Sequence, residues 1–338
     1  MKTALINAAS SNYVSDELVA KADDMIAKWN DYSIEEALKE VPRKMDASLG
    51  QLLGLAVSDQ ASQKKILTAY LNHPGDQQSF WESLGSISGN KETANKVQHV
   101  LKLGSLTANQ PILTAALYKR LEKSDNLFYE LASMDANEWS KLITDLSTQE
   151  KKSIVPAFIE AETESKRVAI YANQMSVVLE QQYPTHSFFG KLAKQPKDAS
   201  AFAGVKDDMV MFFSNNPSFD LKSSATLKLL SEENAFNFKG IEDKSKLVIE
   251  LQSAQRLSAY STDFGTINAL KLEGMDSAYN IVEVPQNTFV HKISAAAGSV
   301  EKAQLIYNKA EKNFMKSALY WSKLHPNLSF KTTTTPDP

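Results

Sequence analysis

The chain has 338 residues, 43% of them hydrophobic and 23% charged, with a formal net charge of −3 and a pI near 6.0. That balance describes a folded polypeptide with material for one large domain or two smaller ones, and it excludes a global basic field that would draw the chain to nucleic acid or to an anionic membrane. The absence of cysteine excludes disulfides, thiol nucleophiles and thiolate-held metals.

Glycine (12) and proline (11) are scarce for this length and sit mostly between periodic segments, which predicts long helices joined by short turns. The opening "MKTALINAASSNYVSDEL" carries one lysine and a short apolar run broken by Asn7, so residues 1–32 read as an N-terminal extension or first helix. A secretory signal needs a longer unbroken apolar core. No stretch approaches the roughly 20 apolar residues that a membrane-spanning helix needs.

"SIEEALKEV" places Ser33 and Glu36 at capping-box spacing. Asp76 is an N-cap for "QQSFWESL". Val97, Leu101 and then Gly104 describe a helix ending in a left-handed glycine, and Leu113, Ala116, Leu117 and Leu121 form the next stripe. Asp135 and Glu138 form a second cap, with Trp139, Leu142 and Leu146 on one face. Val168, Ala172, Met175 and Leu179 repeat at helical spacing up to Pro184, and Leu247, Leu251, Ala254 and Leu257 do the same. The last helix starts at Ser299 and runs Ala303, Ile306, Ala310, Phe314, Ser317 and Trp321 down one side. Only "MVMFF" (209–213) and "NIVEV" hint at strands, and neither alternates or has a hairpin partner.

The fold class is therefore all-α: a multi-helix array of antiparallel pairs joined by short Gly/Pro turns. It divides into two packed subdomains, 33–195 and 196–330, with a polar tail at 331–338.

Two joints share one pattern. "VLKLGSLTANQPIL" and "ALKLEGMDSAYNIV" each read as helix end, glycine, large apolar residue, capping residue and new helix. Gly104 and Gly274 suit the left-handed C′ position, Leu106 and Met275 fold back onto the preceding helix, and Thr107 and Asp276 cap the next one. "SAYNIVEV" is then a short buried helix ended by Pro285, and Phe289 anchors the helix that follows. Trp29, Trp81, Trp139 and Trp321 all fall on apolar stripes and are expected in the core. Trp81, Trp139, Phe289, Tyr307 and Trp321 are its anchors.

"DQQSFWESL", "VLKLGSLTANQPILTAAL", "YANQMSVVLEQQYPT", "NNPSFDL", "LQSAQRLSAYSTDFGTINALKLEGMDSAYNIVEVPQNTFV" and "AQLIYNKAEKNF", in this order over residues 34–320, resemble the N-terminal helical region of the A subunit of bacterial insecticidal toxin complexes (Tc toxins), often termed the ABC-toxin N-terminal region. The resemblance implies a helical shell segment around a translocation channel built elsewhere in a longer chain. The implied partners are other domains of that chain and copies of itself, with a pentamer as the family's assembly. It also implies manufacture in the bacterial cytoplasm and release in a toxin particle without a classical signal peptide. A second context with the same helical character is a docking or cargo module of a phage-tail-like contractile injection particle.

Neither the residues nor the resemblance points to catalysis. His73, His99, His186, His291 and His325 show no metal-ligand spacing and no H-E-x-x-H. Glu160, Glu162 and Glu164 alternate like a calcium set but lack the EF-hand spacing and its glycine, so they read as a solvated helix start. "GSISG" (85–89) has Ile87 where a nucleophile elbow needs serine, and Ser88–Lys91 and Ser299–Lys302 are isolated S-x-x-K spacings. No phosphate-binding glycine loop is present. The expectation is a non-enzymatic structural protein without cofactor, metal, nucleic-acid partner or membrane insertion.

Overall fold

The structure, a computed structural model, describes residues 2–11, 13–43, 45–73, 76–87, 91–121, 126–223 and 235–324. Among these, every regular element is helical. In chain order they are α1 (Lys2–Ser10), α2 (Asp16–Ala20), α3 (Ala22–Lys39), α4 (Leu49–Ala56), α5 (Gln60–Leu71), α6 (Gln77–Ile87), α7 (Lys91–Leu106), α8 (Pro111–Leu121) and α9 (Leu127–Ala132). The chain continues with α10 (Ala136–Gln149), α11 (Glu164–Gln182), α12 (Pro184–Lys194), α13 (Lys206–Asn215), α14 (Lys244–Ser258), α15 (Phe264–Leu272), α16 (Ala278–Glu283), α17 (Gln286–Ala297) and α18 (Val300–Leu324). A single 3₁₀ turn, Lys197–Ala199, stands before α13. The all-α fold expected from the periodicity is the one observed. No described helix is long and apolar enough to cross a membrane.

The chain forms two compact units. Unit 1 is Met1–Leu127 with Ala136–Met175, and unit 2 is Phe128–Asp135 with Ser176–Pro338. The division thus falls inside α11 instead of near residue 195, and a short stretch from before α10 goes with the second unit. Sequence periodicity places helices but not the cores they enter, which explains the difference. Residues 1–32 are no separate extension, because α3 begins at Ala22 and runs unbroken through Ser33. The expected capping box at Ser33 is therefore mid-helix, and the capping box that forms is Ser48 with Gln51, opening α4. The expected tail at 331–338 lies outside the described residues.

In unit 1, α3, α5, α6 and α7 pack around Leu38, Leu53, Ile66, Phe80, Leu84 and Val97. In unit 2, α12 meets α13 and α15, α15 meets α14 and α17, and α18 lies on α16 and α17. Its core is rich in phenylalanine: Phe188 sits edge-on to Phe189, Phe202 and Phe264 at 5.2, 5.6 and 5.4 Å between ring centroids. The "MVMFF" run is helical in α13, with Met209 and Phe212 buried. Helix starts follow the sequence where a side chain can reach back. Asp76, Asp243, Asp263 and Ser277 accept from the backbone N–H of Ser79, Lys246, Thr266 and Asn280. Pro184 begins α12 directly after α11 ends at Gln182.

α18 departs from its expected stripe. Ala303, Ile306 and Ala310 are buried, Phe314 is half-buried, and Ser317 and Trp321 are exposed. Trp321 is thus no core anchor, and neither is Trp29, which is 58% exposed on α3. A periodic stripe records which residues share a face, but it does not record how far the neighbouring helices extend along that face.

Candidate functional site

The two joints are the features the sequence singles out, and the structure builds them differently. At the end of α15, Gly274 is left-handed with φ +72°. Its N–H donates to Lys271 O at 3.1 Å, and the N–H of Met275 donates to Leu270 O at 2.9 Å, the paired bonds of a Schellman ending. Met275 is buried in the same cluster as Leu270. Asp276, expected as the next cap, instead pairs with Lys271 at 3.3 Å, and Ser277 caps α16. A serine one residue later reaches the free amides equally well, so spacing alone does not choose between them. α16 is shorter and less buried than expected, with Ile281 buried and Tyr279 exposed. It ends at Glu283, and Pro285 stands as the N-cap of α17, whose Phe289 is fully buried against Tyr307 at 5.4 Å.

At the other joint Gly104 is not left-handed. α7 continues through it to Leu106, and Ala108 (φ 50°) and Asn109 (φ 58°) make the reversal. Gly104 serves packing: a Cβ there would lie 2.8 Å from Leu52 Cδ1 and 3.0 Å from Asn109 Oδ1. Leu106 is half-buried. Thr107 does not cap α8, a role taken by Gln110, whose Oε1 accepts from Leu113 N at 2.8 Å. Fully buried Thr107 holds the end of α7 instead. Its hydroxyl donates to Leu103 O at 2.9 Å and meets the Thr114 hydroxyl at 2.6 Å, while its carbonyl accepts from Tyr171 OH at 2.6 Å. Burial pushes the Tyr171 phenol far above its ordinary range, with the nearby Asp46 charge adding to the effect, so it remains a donor.

Of the other anchors, Trp139 is completely buried with no partner for its Nε1. Trp81 is half-buried and edge-on to Phe80 at 5.1 Å. Tyr307 lies in the core with its hydroxyl 3.4 Å from Val282 O.

The chemically suggestive residues stay apart. His73 Nε2 and Ser79 Oγ are 2.8 Å apart. His99 is half-buried and His291 exposed. His186 stacks on Tyr129 at 3.6 Å. His325, Ser88 and the end of "GSISG" lie outside the described residues. Ser299 accepts from Lys302 N, a helix-start bond. Glu162 pairs with Lys166 and Glu164 with Arg167, both along the exposed start of α11. Among the described residues no group of three or more His, Cys, Asp or Glu is placed to hold a metal ion.

Two polar clusters carry no sequence signature. Arg167 gathers the loop before α11 by donating to Ile159 O at 2.8 Å, Val155 O at 3.1 Å and Pro156 O at 3.2 Å. In unit 2, Glu180 and Lys191 form an ion pair with side chains 7% and 11% exposed. Burial raises the Glu180 carboxyl above its usual range, and Lys191 opposes that rise. Both clusters join residues from different segments, and only the fold brings them together.

No protein-family model, curated protein or solved structure matches this chain.

Proposed function

We propose that this chain is a non-enzymatic helical scaffold whose work is packing against other protein surfaces, in the manner of the helical shell of a Tc-toxin-like A subunit. The observation that carries this reading is the outer end of α18. Met315, Leu319, Tyr320, Trp321 and Leu324 are each 55–66% exposed within ten residues of one helix. Single exposed apolar side chains are ordinary on a protein surface, but a run this dense is a feature of surfaces that another protein covers. The ordered succession of motifs over residues 34–320 supports the toxin-shell context, which supplies the partners: neighbouring domains of a longer chain and further copies. Release in a toxin particle belongs to the same proposal.

Gel filtration with light scattering tests the packing role. The parent chain is expected to associate increasingly with concentration, and Leu319→Glu/Trp321→Glu to remain monomeric with unchanged helicity. Identical monomeric behaviour of both would overturn the role. Toxin B- and C-subunit genes adjacent to this one are the expected neighbourhood, and contractile sheath and tube genes there would overturn the toxin context.

A further inference from the structure

A groove in unit 2 includes none of the exposed apolar residues at the end of α18. It is lined from α11 by Glu180, from the loop after Leu221 by Lys222, from α14 by Gln255, from the α14–α15 connection by Asp263, and from α18 by Lys302, Leu305 and Lys309. Its volume is about 650 Å³, inside the ~300–1,000 Å³ range of small-molecule sites.

The charges in this groove are unevenly committed. Glu180 is tied to Lys191, and Asp263 is occupied as the N-cap of α15, accepting from the N–H and the hydroxyl of Thr266 at 2.7 and 2.6 Å. Lys222, Lys302 and Lys309 are exposed, and none is in an ion pair among the described residues. The unspent charge is therefore positive. Lys302, Leu305 and Lys309 follow the spacing of one helix face, so 66%-exposed Leu305 lies between two lysines whose Cα atoms are roughly 10 Å apart along the axis, within reach of one anion for side chains this long. No arginine lines the groove. Lysines act as point charges, the form in which they commonly hold a phosphate.

Gln255 gives the second observation. It is 6% exposed, its Nε2 donates to Ser223 O, and its Oε1 is buried without a hydrogen-bond partner. A buried acceptor left open is costly, and a ligand hydroxyl is the donor that would complete it.

We propose that this groove binds a small phosphorylated polyol of the sugar-phosphate class. The phosphate is held by the lysines of α18 and Lys222, the carbon skeleton lies on Leu305, and a hydroxyl donates to Gln255.

Calorimetric titration of the whole chain with glucose 6-phosphate, glucose and inorganic phosphate tests this. Glucose 6-phosphate is expected to bind more tightly than either fragment, and less tightly as salt is raised. Lys302→Ala/Lys309→Ala should weaken it about tenfold or more with an unchanged melting temperature, because both side chains are exposed. Gln255→Leu should weaken glucose 6-phosphate binding while leaving inorganic phosphate binding unchanged. The proposal is overturned if glucose 6-phosphate does not bind, if the double lysine variant binds it like the parent, or if inorganic phosphate or an aspartate-rich peptide binds as tightly. None of these outcomes depends on whether the chain self-associates.

Discussion

Trp139 combines complete burial with an unsatisfied donor. Its ring is fully buried while its indole N–H has no acceptor, so replacement removes both a gain and a cost. Trp139→Ala should lose about 3–5 kcal/mol. Trp139→Phe, which discards the stranded donor and keeps most of the ring, should lose less than half of that by chemical denaturation. The glycines separate in the same way. A Cβ at Gly274 meets nothing within 4 Å, so Gly274→Val is penalised chiefly by its φ of +72° and should lower the melting temperature by several degrees. Gly104→Ala has an ordinary helical backbone and a crowded side, and overpacking there should cost about 1–3 kcal/mol, partly offset by alanine's helix preference. A Gly104→Ala variant at least as stable as the parent would show that Leu52 yields freely.

Between elements, the Glu180–Lys191 pair ties α11 to α12 within unit 2. Removing one partner strands a charge, so Lys191→Met should cost about 3–5 kcal/mol at neutral pH. Without Lys191 the buried Glu180 carboxyl is raised further above its unfolded value. The folded state then holds the proton more tightly than the unfolded chain, so stability is lost above the unfolded value near 4.3 and recovers as pH falls towards it. Thermal melts of Lys191→Met at pH 7 and pH 5 should therefore differ less from the parent at pH 5. An equal deficit at both would mean that Glu180 is hydrated in the variant. The same helix approaches the 128–135 stretch so closely that a Cβ on Gly190 would lie 2.2 Å from Ser133 Cβ. Gly190→Ala is accordingly expected to be more damaging than either joint variant, although nothing in the local sequence marks that glycine.

For the whole molecule, acid sensitivity follows from two histidines. Burial lowers both His99 and His186 from their ordinary value near 6.5, and Lys102 adds to the effect at His99. The unfolded chain therefore takes up protons first as pH falls. Their contribution is intact above about pH 6.5 and is lost below it. Denaturant midpoints should fall between pH 7 and pH 5.5, and His99→Gln/His186→Gln should flatten that fall. An unchanged slope would place the acid sensitivity in other groups.

The sequence by itself determined the all-α class, the helix starts at Asp76 and Ser299, the Schellman ending at Gly274 and the burial of Val168, Ala172, Met175 and Leu179. These depend on 3.6-residue periodicity and on capping side chains within four residues of the amides they satisfy. Only the tertiary structure decided that Gly104 serves packing, that Trp321 is exposed, that the units divide within α11, and that Lys222, Lys302, Lys309 and Gln255 share one groove. Each of those outcomes depends on what lies across from a residue, and pairings between distant segments leave no local trace in the chain.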